Sequence, residues 1–153
     1  MRIRPLFFGL LTLSLAACLG DATTNPNSSY PLVPIESTTF AASLGVDLAH
    51  SIKTPSGLYY RDIRVGTGAT LASGSVANVK YTGALANGNV FDAGTFSLTV
   101  GAGKVIQGWD EGLVGMKVGG SRQLIIPSSL GYGPNGYGPI PPNATLVFTV
   151  EPQ

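Results

Sequence analysis

Glycine and proline interrupt this sequence at short intervals, which favours strands joined by turns over a helical bundle. The 153 residues include 21 Gly and 11 Pro. The length suits one ordinary domain plus a tail. With 44% hydrophobic and only 11% charged residues, the composition argues against a disordered chain. We therefore expect a single folded domain that is rich in β-structure.

The charge balance excludes some function classes. The formal net charge is +1. Without Arg2 and Arg4, which we expect to be removed with a signal peptide, the 9 basic residues fall to 7 against 8 acidic ones. No basic stripe is present, so we predict no binding to nucleic acid. The single His and single Cys offer no metal-ligand cluster, and we predict neither a metal nor a cofactor.

The first residues predict an export signal. Arg2 and Arg4 precede an apolar run that is too short for a membrane-spanning helix of ~20 residues. Residues 15–18, Leu-Ala-Ala-Cys, resemble a bacterial lipobox, in which the cysteine is acylated and becomes the new N-terminus. We predict a lipoprotein signal peptide over residues 1–17 and lipidation at Cys18, the one cysteine in the chain. The alternative is a plain secretory signal followed by an incidental cysteine.

Lipidation would place the protein in the cell envelope. Several acyl chains, each burying methylenes at ~0.8 kcal/mol apiece, hold firmly to a membrane. Leu19 stands where the inner-membrane retention signal of proteobacteria has Asp. We therefore predict a lipid anchor on the periplasmic or outer face, in the outer membrane if the cell has one.

A tether and then a domain are predicted after the anchor. Residues 18–50 begin with a polar, proline-containing stretch that suits a tether. Within it, Phe40–His50 has apolar residues at a spacing that allows one or two helical turns packed on the domain, although Gly45 weakens the pattern. The domain itself is predicted over residues 51–153.

Short periodic runs predict an antiparallel sheet and one helix in that domain. Asn87-Gly88 tolerates the positive φ that tight hairpin turns require. A helix is predicted over residues 108–116, followed by Gly119-Gly120 as a stop. The Pro/Gly-rich stretch 127–143 cannot be regular structure, and a loop of that length is usually functional. Strands are predicted at residues 58–63, 75–85, 90–92, 96–100, 122–126 and 144–150.

Five short segments carry a more specific pattern. They are residues 81–83 (Tyr-Thr-Gly), 88–92, 105–113 (Val-Ile-Gln-Gly-Trp-Asp-Glu-Gly-Leu), 116–119 and 141–148 (Pro-Pro-Asn-Ala-Thr-Leu-Val-Phe). In sequence and in order, these segments resemble the FKBP family of peptidyl-prolyl cis-trans isomerases. The resemblance covers about residues 57–151. It implies an α+β fold in which a twisted antiparallel β-sheet curls round one short helix, and an isomerase that needs no cofactor.

The resemblance also implies the residues of a proline-binding pocket. Trp109 would form the floor under the prolyl ring, and the Tyr132 hydroxyl and the Ile106 amide would donate hydrogen bonds to substrate carbonyls. Asp92 would act electrostatically on the twisting amide. The implied catalytic residues are Asp92, Tyr132, Trp109 and Phe148, and the implied substrate-binding residues are Tyr81, Phe91, Phe96, Val105, Ile106 and Ile140. Without the resemblance, Trp109 suits a core as well as a site, the phenylalanines suit a core better than a site, and Asp92 suits a turn cap.

Two departures from the family pattern affect the pocket rim. Family members usually have a longer segment between Asp92 and Phe96, often with a basic residue that pairs with the Asp, whereas only three residues intervene here. We expect Asp92 to lack that partner and the pocket wall to be lower. The segment before Ile140 is also one residue shorter than usual, with Tyr137 where family members often have His.

The resemblance implies partners as well as an activity. The clients would be proline-containing proteins, and macrolides such as tacrolimus or rapamycin would inhibit by placing a pipecolyl ring over Trp109. Only about thirty proline-interrupted residues precede the domain, where relatives that dimerise carry a long helix, so we predict a monomer. Two alternatives remain open: a module or holdase that grips proline segments without catalysis, and a purely structural envelope lipoprotein.

Overall fold

The computed structural model describes residues 30–153, so the predicted signal peptide and Cys18 lie outside the described residues. The described chain forms a six-stranded antiparallel sheet in the order β1-β2-β5-β6-β3-β4 with one α-helix against it, which confirms the predicted fold. The strands are Ile52–Lys53 (β1), Tyr59–Arg64 (β2), Val76–Leu85 (β3), Val90–Thr99 (β4), Ser121–Ile126 (β5) and Leu146–Pro152 (β6), and the helix is Gln107–Gly112 (α1). Among the described residues, no helix is both long and apolar enough to cross a membrane.

Every residue of the central strand β5 is buried because both faces of the sheet are covered. Successive side chains of a strand point to opposite faces. Leu124 and Ile126 accordingly pack in the main core beneath α1, whereas Ile125 packs in a smaller cluster on the other face. The sheet therefore supports the helix on one side and a second layer on the other.

Two glycines let α1 lie directly on β5. A Cβ atom at Gly108 would come within 2.6 Å of the Ile126 side chain, and one at Gly112 would come within 2.6 Å of Leu124. Any larger residue at either position would push the helix off the sheet. This close approach places the first turn of α1, and with it Trp109, against the core.

The second layer is the N-terminal segment. Ile35 is buried against the outer face of β5 and β6, with Phe40, Leu44, Val46 and Leu48 packed around it. Three short 3-10 turns, Ile35–Ser37, Ala42–Leu44 and Leu48–His50, shape this segment, two of them inside the stretch where helical turns were predicted. Residues 35–50, Phe40–His50 among them, thus pack on the outer face of the sheet.

Polar contacts fasten this segment to the sheet. The Gln123 side chain of β5 donates to the Leu44 carbonyl at 2.7 Å. Glu36 accepts hydrogen bonds from Lys53 and from the Tyr59 hydroxyl. These bonds, the Lys53 bond first, lower the pKa of Glu36 to about 2.

The structure differs from the sequence analysis in four details of secondary structure. The helix predicted to reach Met116 ends at Gly112, and Gly115 has a φ of 79° that ends any helix. The strands predicted separately at 90–92 and 96–100 are one strand, β4. The short strand β1 was not predicted, and the loop 127–143 holds two 3-10 turns, Ser128–Leu130 and Gly133–Asn135.

Candidate active site

A cavity of about 440 Å³ opens between α1, β4 and the loop that follows β5. Its walls are mainly aromatic and aliphatic. Of the predicted site residues it brings together all but Ile140. The lining residues are Tyr81, Phe91, Asp92, Phe96, Gly103, Lys104, Val105, Ile106, Trp109, Tyr132 and Phe148.

Trp109 forms a rigid buried wall of this cavity. The indole lies edge-on to the Tyr81 ring, with centroids 5.1 Å apart, and edge-on to Phe148 at 5.4 Å. Such edge-to-face pairs are favourable because the positive edge of one ring meets the negative face of another. Trp109 is only 5% exposed, so it serves the core and the cavity together.

Asp110 orders the cavity wall that precedes the helix. Its carboxylate accepts the backbone N–H groups of Gly101 and Gly103, each at 2.8 Å. These bonds hold the turn that presents Lys104 and Val105 to the cavity. Sequence analysis did not identify Asp110 as part of the site, although a carboxylate in the first turn of a helix is a common partner for nearby N–H groups.

One polar pair stands at the cavity edge. The Tyr81 hydroxyl donates to Asp92 Oδ2 at 2.8 Å. This hydrogen bond, followed by burial, raises the pKa of Tyr81 above its ordinary value. Within residues 30–153, no cation pairs with Asp92. The Asp92 carboxylate is therefore held by a neutral phenol, at the edge of a cavity whose lining is mainly apolar and also includes Lys104.

A free backbone donor also faces this region. The Ile106 carbonyl accepts from Trp109 N–H at 2.9 Å and so begins α1, while the Ile106 N–H has no hydrogen-bond partner among the described residues. Ile106 lines the cavity, so its amide is available to a ligand carbonyl. Among residues 30–153, no group of three or more His, Cys, Asp or Glu side chains could hold a metal ion.

Residues 68–152 match the sequence model of the FKBP-type peptidyl-prolyl cis-trans isomerases. The chain belongs to the FKBP family. It is 48% identical over 101 residues to an FK506-binding protein of Neisseria meningitidis serogroup B, covering 62% of this chain and 93% of that relative. It is also 50% identical over 104 residues to FK506-binding protein 4 of Dictyostelium discoideum, covering 65% of this chain and 29% of that relative.

Two solved FKBP-family structures share the fold. AtFKBP13 matches with a TM-score of 0.63 and 36% identity, over 67% of this chain and 95% of that chain. FkpA from Escherichia coli matches with a TM-score of 0.62 and 38% identity, over 67% of this chain and 50% of that chain. The chain spans about 22–29% of the length of the relatives named FK506-binding protein 4.

In this FKBP domain, stacked tyrosines shape the loop over the cavity. The rings of Tyr132 and Tyr137 are nearly parallel, with centroids 5.6 Å apart. Burial is the main cause that raises the pKa of Tyr132. Tyr137 is 71% exposed, and its backbone exchanges two hydrogen bonds of 2.9 Å with Ile140. Tyr137 thus supports the tyrosine that lines the cavity.

Ile140 is a core residue of the FKBP domain. It is 5% exposed, belongs to the main core and is not among the residues that line the cavity. Sequence analysis also missed Asn143, whose side-chain amide donates to the Tyr30 carbonyl at 2.6 Å while its N–H donates to the Gly133 carbonyl at 3.0 Å. Asn143 has a φ of 57° and links the N-terminal segment to the loop that carries Tyr132.

Proposed function

We propose that this chain is a peptidyl-prolyl cis-trans isomerase that accelerates rotation of X-Pro bonds in proteins folding in the cell envelope. The observation that best supports this function is the mainly apolar cavity walled by Trp109 and Phe148, with Asp92, Tyr132 and the Ile106 amide among its polar groups. Family membership and the 93% coverage of the Neisseria meningitidis FK506-binding protein support this proposal.

The chemistry follows from the amide bond. Amide resonance sets a barrier of ~18–20 kcal/mol, so uncatalysed X-Pro rotation takes on the order of tens to hundreds of seconds. At the transition state the amide is twisted, its nitrogen is no longer conjugated and its carbonyl has lost charge separation. An apolar cavity favours this less polar form over the planar ground state. The reaction breaks no bond, moves no proton and requires no nucleophile.

Polar groups at the rim would hold the twisted amide in place. The Ile106 N–H and the Tyr132 hydroxyl are donors for carbonyls on either side of the proline. The Asp92 carboxylate is exposed at the cavity edge, where water screens part of its charge, and it supplies a negative field on the side of the cavity that faces the amide. Positioning and electrostatic preorganisation then account for the acceleration.

An isomerase assay on the domain tests this proposal directly. Two-dimensional NMR exchange on a tetrapeptide with one X-Pro bond should show cis-trans exchange that rises in proportion to enzyme concentration. The matched control is Trp109→Ala, read only on the fraction that remains folded. If the wild-type domain binds the peptide without accelerating exchange, the chain is a proline-binding module and the catalytic proposal is wrong.

We further propose that lipid at Cys18 anchors the domain to the outside of a membrane. The supporting observations are the apolar run and the residues Leu15-Ala16-Ala17-Cys18. Mass spectrometry of the protein from its native membrane should find an acylated N-terminal cysteine, and Cys18→Ser should release the protein into the soluble fraction. An unmodified Cys18 in the native protein would refute the anchor. A monomeric mass of the unlipidated domain in analytical ultracentrifugation would support the predicted monomer.

A further inference from the structure

The strand β4 ends the sheet beside the cavity. It pairs with β3 on one side, and it is the last strand in the sheet order. Phe91, Asp92 and Phe96 of this strand line the cavity. The unpaired edge and the candidate active site therefore share one strand.

The pairing register of β3 shows which backbone groups of β4 point away from β3. The Gln153 N–H donates to the Asn78 carbonyl at 2.8 Å, so Asn78 of β3 faces β6 rather than β4. Asn78 lies opposite Ser97. Because hydrogen-bonded and non-hydrogen-bonded pairs alternate along an antiparallel ladder, Ser97 and every second residue before it direct their N–H and C=O groups to the free edge. Those residues are Ala93, Thr95 and Ser97.

This edge is unprotected within the part of the chain that the structure describes. No backbone hydrogen bond there reaches the outer groups of Ala93, Thr95 or Ser97. Natural edge strands usually avoid pairing by carrying Lys, Pro or a bulge at the free edge, or by being short. β4 has one bulge near its start, where Phe91 is the extra residue, but its eight residues from Asp92 to Thr99 pair with β3 without a register shift and include no Lys, Arg or Pro. Phe96 in this stretch is 48% exposed. Such an edge is a template for an added strand.

Gly94 leaves a gap between the side chains of Asp92 and Phe96. Gly94 lies on the cavity face of β4 between Asp92 and Phe96, opposite Tyr81. A Cβ atom there would approach nothing nearer than the Tyr81 ring at 3.9 Å, so this part of the wall has no side chain. At ~3.4 Å per residue, a chain leaving the cavity over Gly94 reaches the edge within two or three residues.

We propose that the free edge of β4 binds the extended segment next to the client's proline as an additional strand. This inference rests on the proposed function, since it names how the same client is held. The occupant must be extended, and the residue before proline is restricted to extended conformations. Strand addition uses main-chain hydrogen bonds, so it binds clients of varied sequence. The cavity selects the proline while the edge holds the neighbouring backbone.

A single proline in the edge tests the proposal. Thr95→Pro removes one outward N–H and leaves the ladder to β3 intact, and proline is tolerated at such edge positions. The substrates are a tetrapeptide with one X-Pro bond and a decapeptide that extends it on both sides. Loss of one hydrogen bond should lower kcat/KM for the decapeptide by roughly five-fold. The matched control, Thr95→Val, keeps the N–H and should behave as wild type with both substrates.

The outcomes separate this inference from the proposed function. If the wild-type domain is inactive on the tetrapeptide, the proposed isomerase activity is refuted. If the domain is active but wild type and Thr95→Pro have equal kcat/KM for the decapeptide, strand addition at the edge of β4 is refuted. Amide hydrogen exchange should show protection of Ala93, Thr95 and Ser97 when wild type binds the decapeptide, and less with a backbone N-methylated decapeptide. This readout stands even if the proline variant unfolds. Protection that grows with protein concentration and not with peptide would assign the edge to a second copy of this chain and overturn the proposal.

Discussion

Deleting the Tyr132 hydroxyl should reduce activity without reducing stability. The hydroxyl makes no hydrogen bond among residues 30–153, while the ring stacks on Tyr137 at 5.6 Å. Tyr132→Phe keeps the ring and its stacking, so the free energy of unfolding should stay within about 0.5 kcal/mol of wild type. If the hydroxyl donates to a substrate carbonyl, its loss removes ~0.5–1.5 kcal/mol from transition-state binding. At ~1.36 kcal/mol per tenfold, kcat/KM should fall roughly two- to thirteen-fold.

The measurement is kcat/KM on a tetrapeptide by NMR exchange, with urea unfolding of the same samples. Tyr137→Ala is the matched variant, because it retains the Tyr132 hydroxyl and removes only the stacked ring. Without the stacked ring, Tyr132 should be free to move, so kcat/KM should fall by different amounts for different peptides. An unchanged kcat/KM in Tyr132→Phe would show that the hydroxyl never contacts the substrate. A loss of stability above 1 kcal/mol would show that the hydroxyl has a structural role and would refute the prediction.

Three other measurements follow from the described residues. Tacrolimus or rapamycin should change the fluorescence of Trp109, the sole tryptophan, and no change at high micromolar ligand would mean a closed pocket. The isomerase rate should be nearly constant from about pH 6 to 8, because the reaction moves no proton. The pKa values of Tyr81 and Tyr132 are raised above their ordinary value, so both phenols remain protonated in this range. A bell-shaped pH profile would contradict this prediction. Because folding lowers the pKa of Glu36 from 4.5 to about 2, its contribution to stability is complete above pH 4.5 and is lost as pH falls towards 2. Because Glu36 is 49% exposed, solvent screening limits that contribution to ~1 kcal/mol at most. In denaturant unfolding, the free energy of unfolding of Glu36→Gln should therefore be lower than that of wild type at pH 7 and equal to it at pH 2.

Local sequence signals sufficed for most of the sheet. The turn at Asn87-Gly88 and the β-branched run at 144–150 are decided by the residues themselves, because backbone φ preference and side-chain alternation act over a few neighbours. The end of α1 was not decided in this way. Val114 and Met116 continue an apolar helical spacing, and the close contact of Gly112 with β5, followed by the turn at Gly115, ends the helix earlier.

In the candidate site, too, the sequence determined some features and the tertiary structure decided others. Sequence alone determined the β-rich fold and, through the ordered segments around Trp109 and Phe148, the family and nine of the lining residues. Only the tertiary structure decided that Ile140 belongs to the core, that Asp110 orders the cavity wall and that Asn143 reaches Tyr30. From the sequence, the residues between Asp92 and Phe96 did not reveal that β4 is one continuous strand, or that its outer edge is free. Such features depend on contacts between residues far apart in the chain, and no local preference encodes which strand is left at the edge of the sheet.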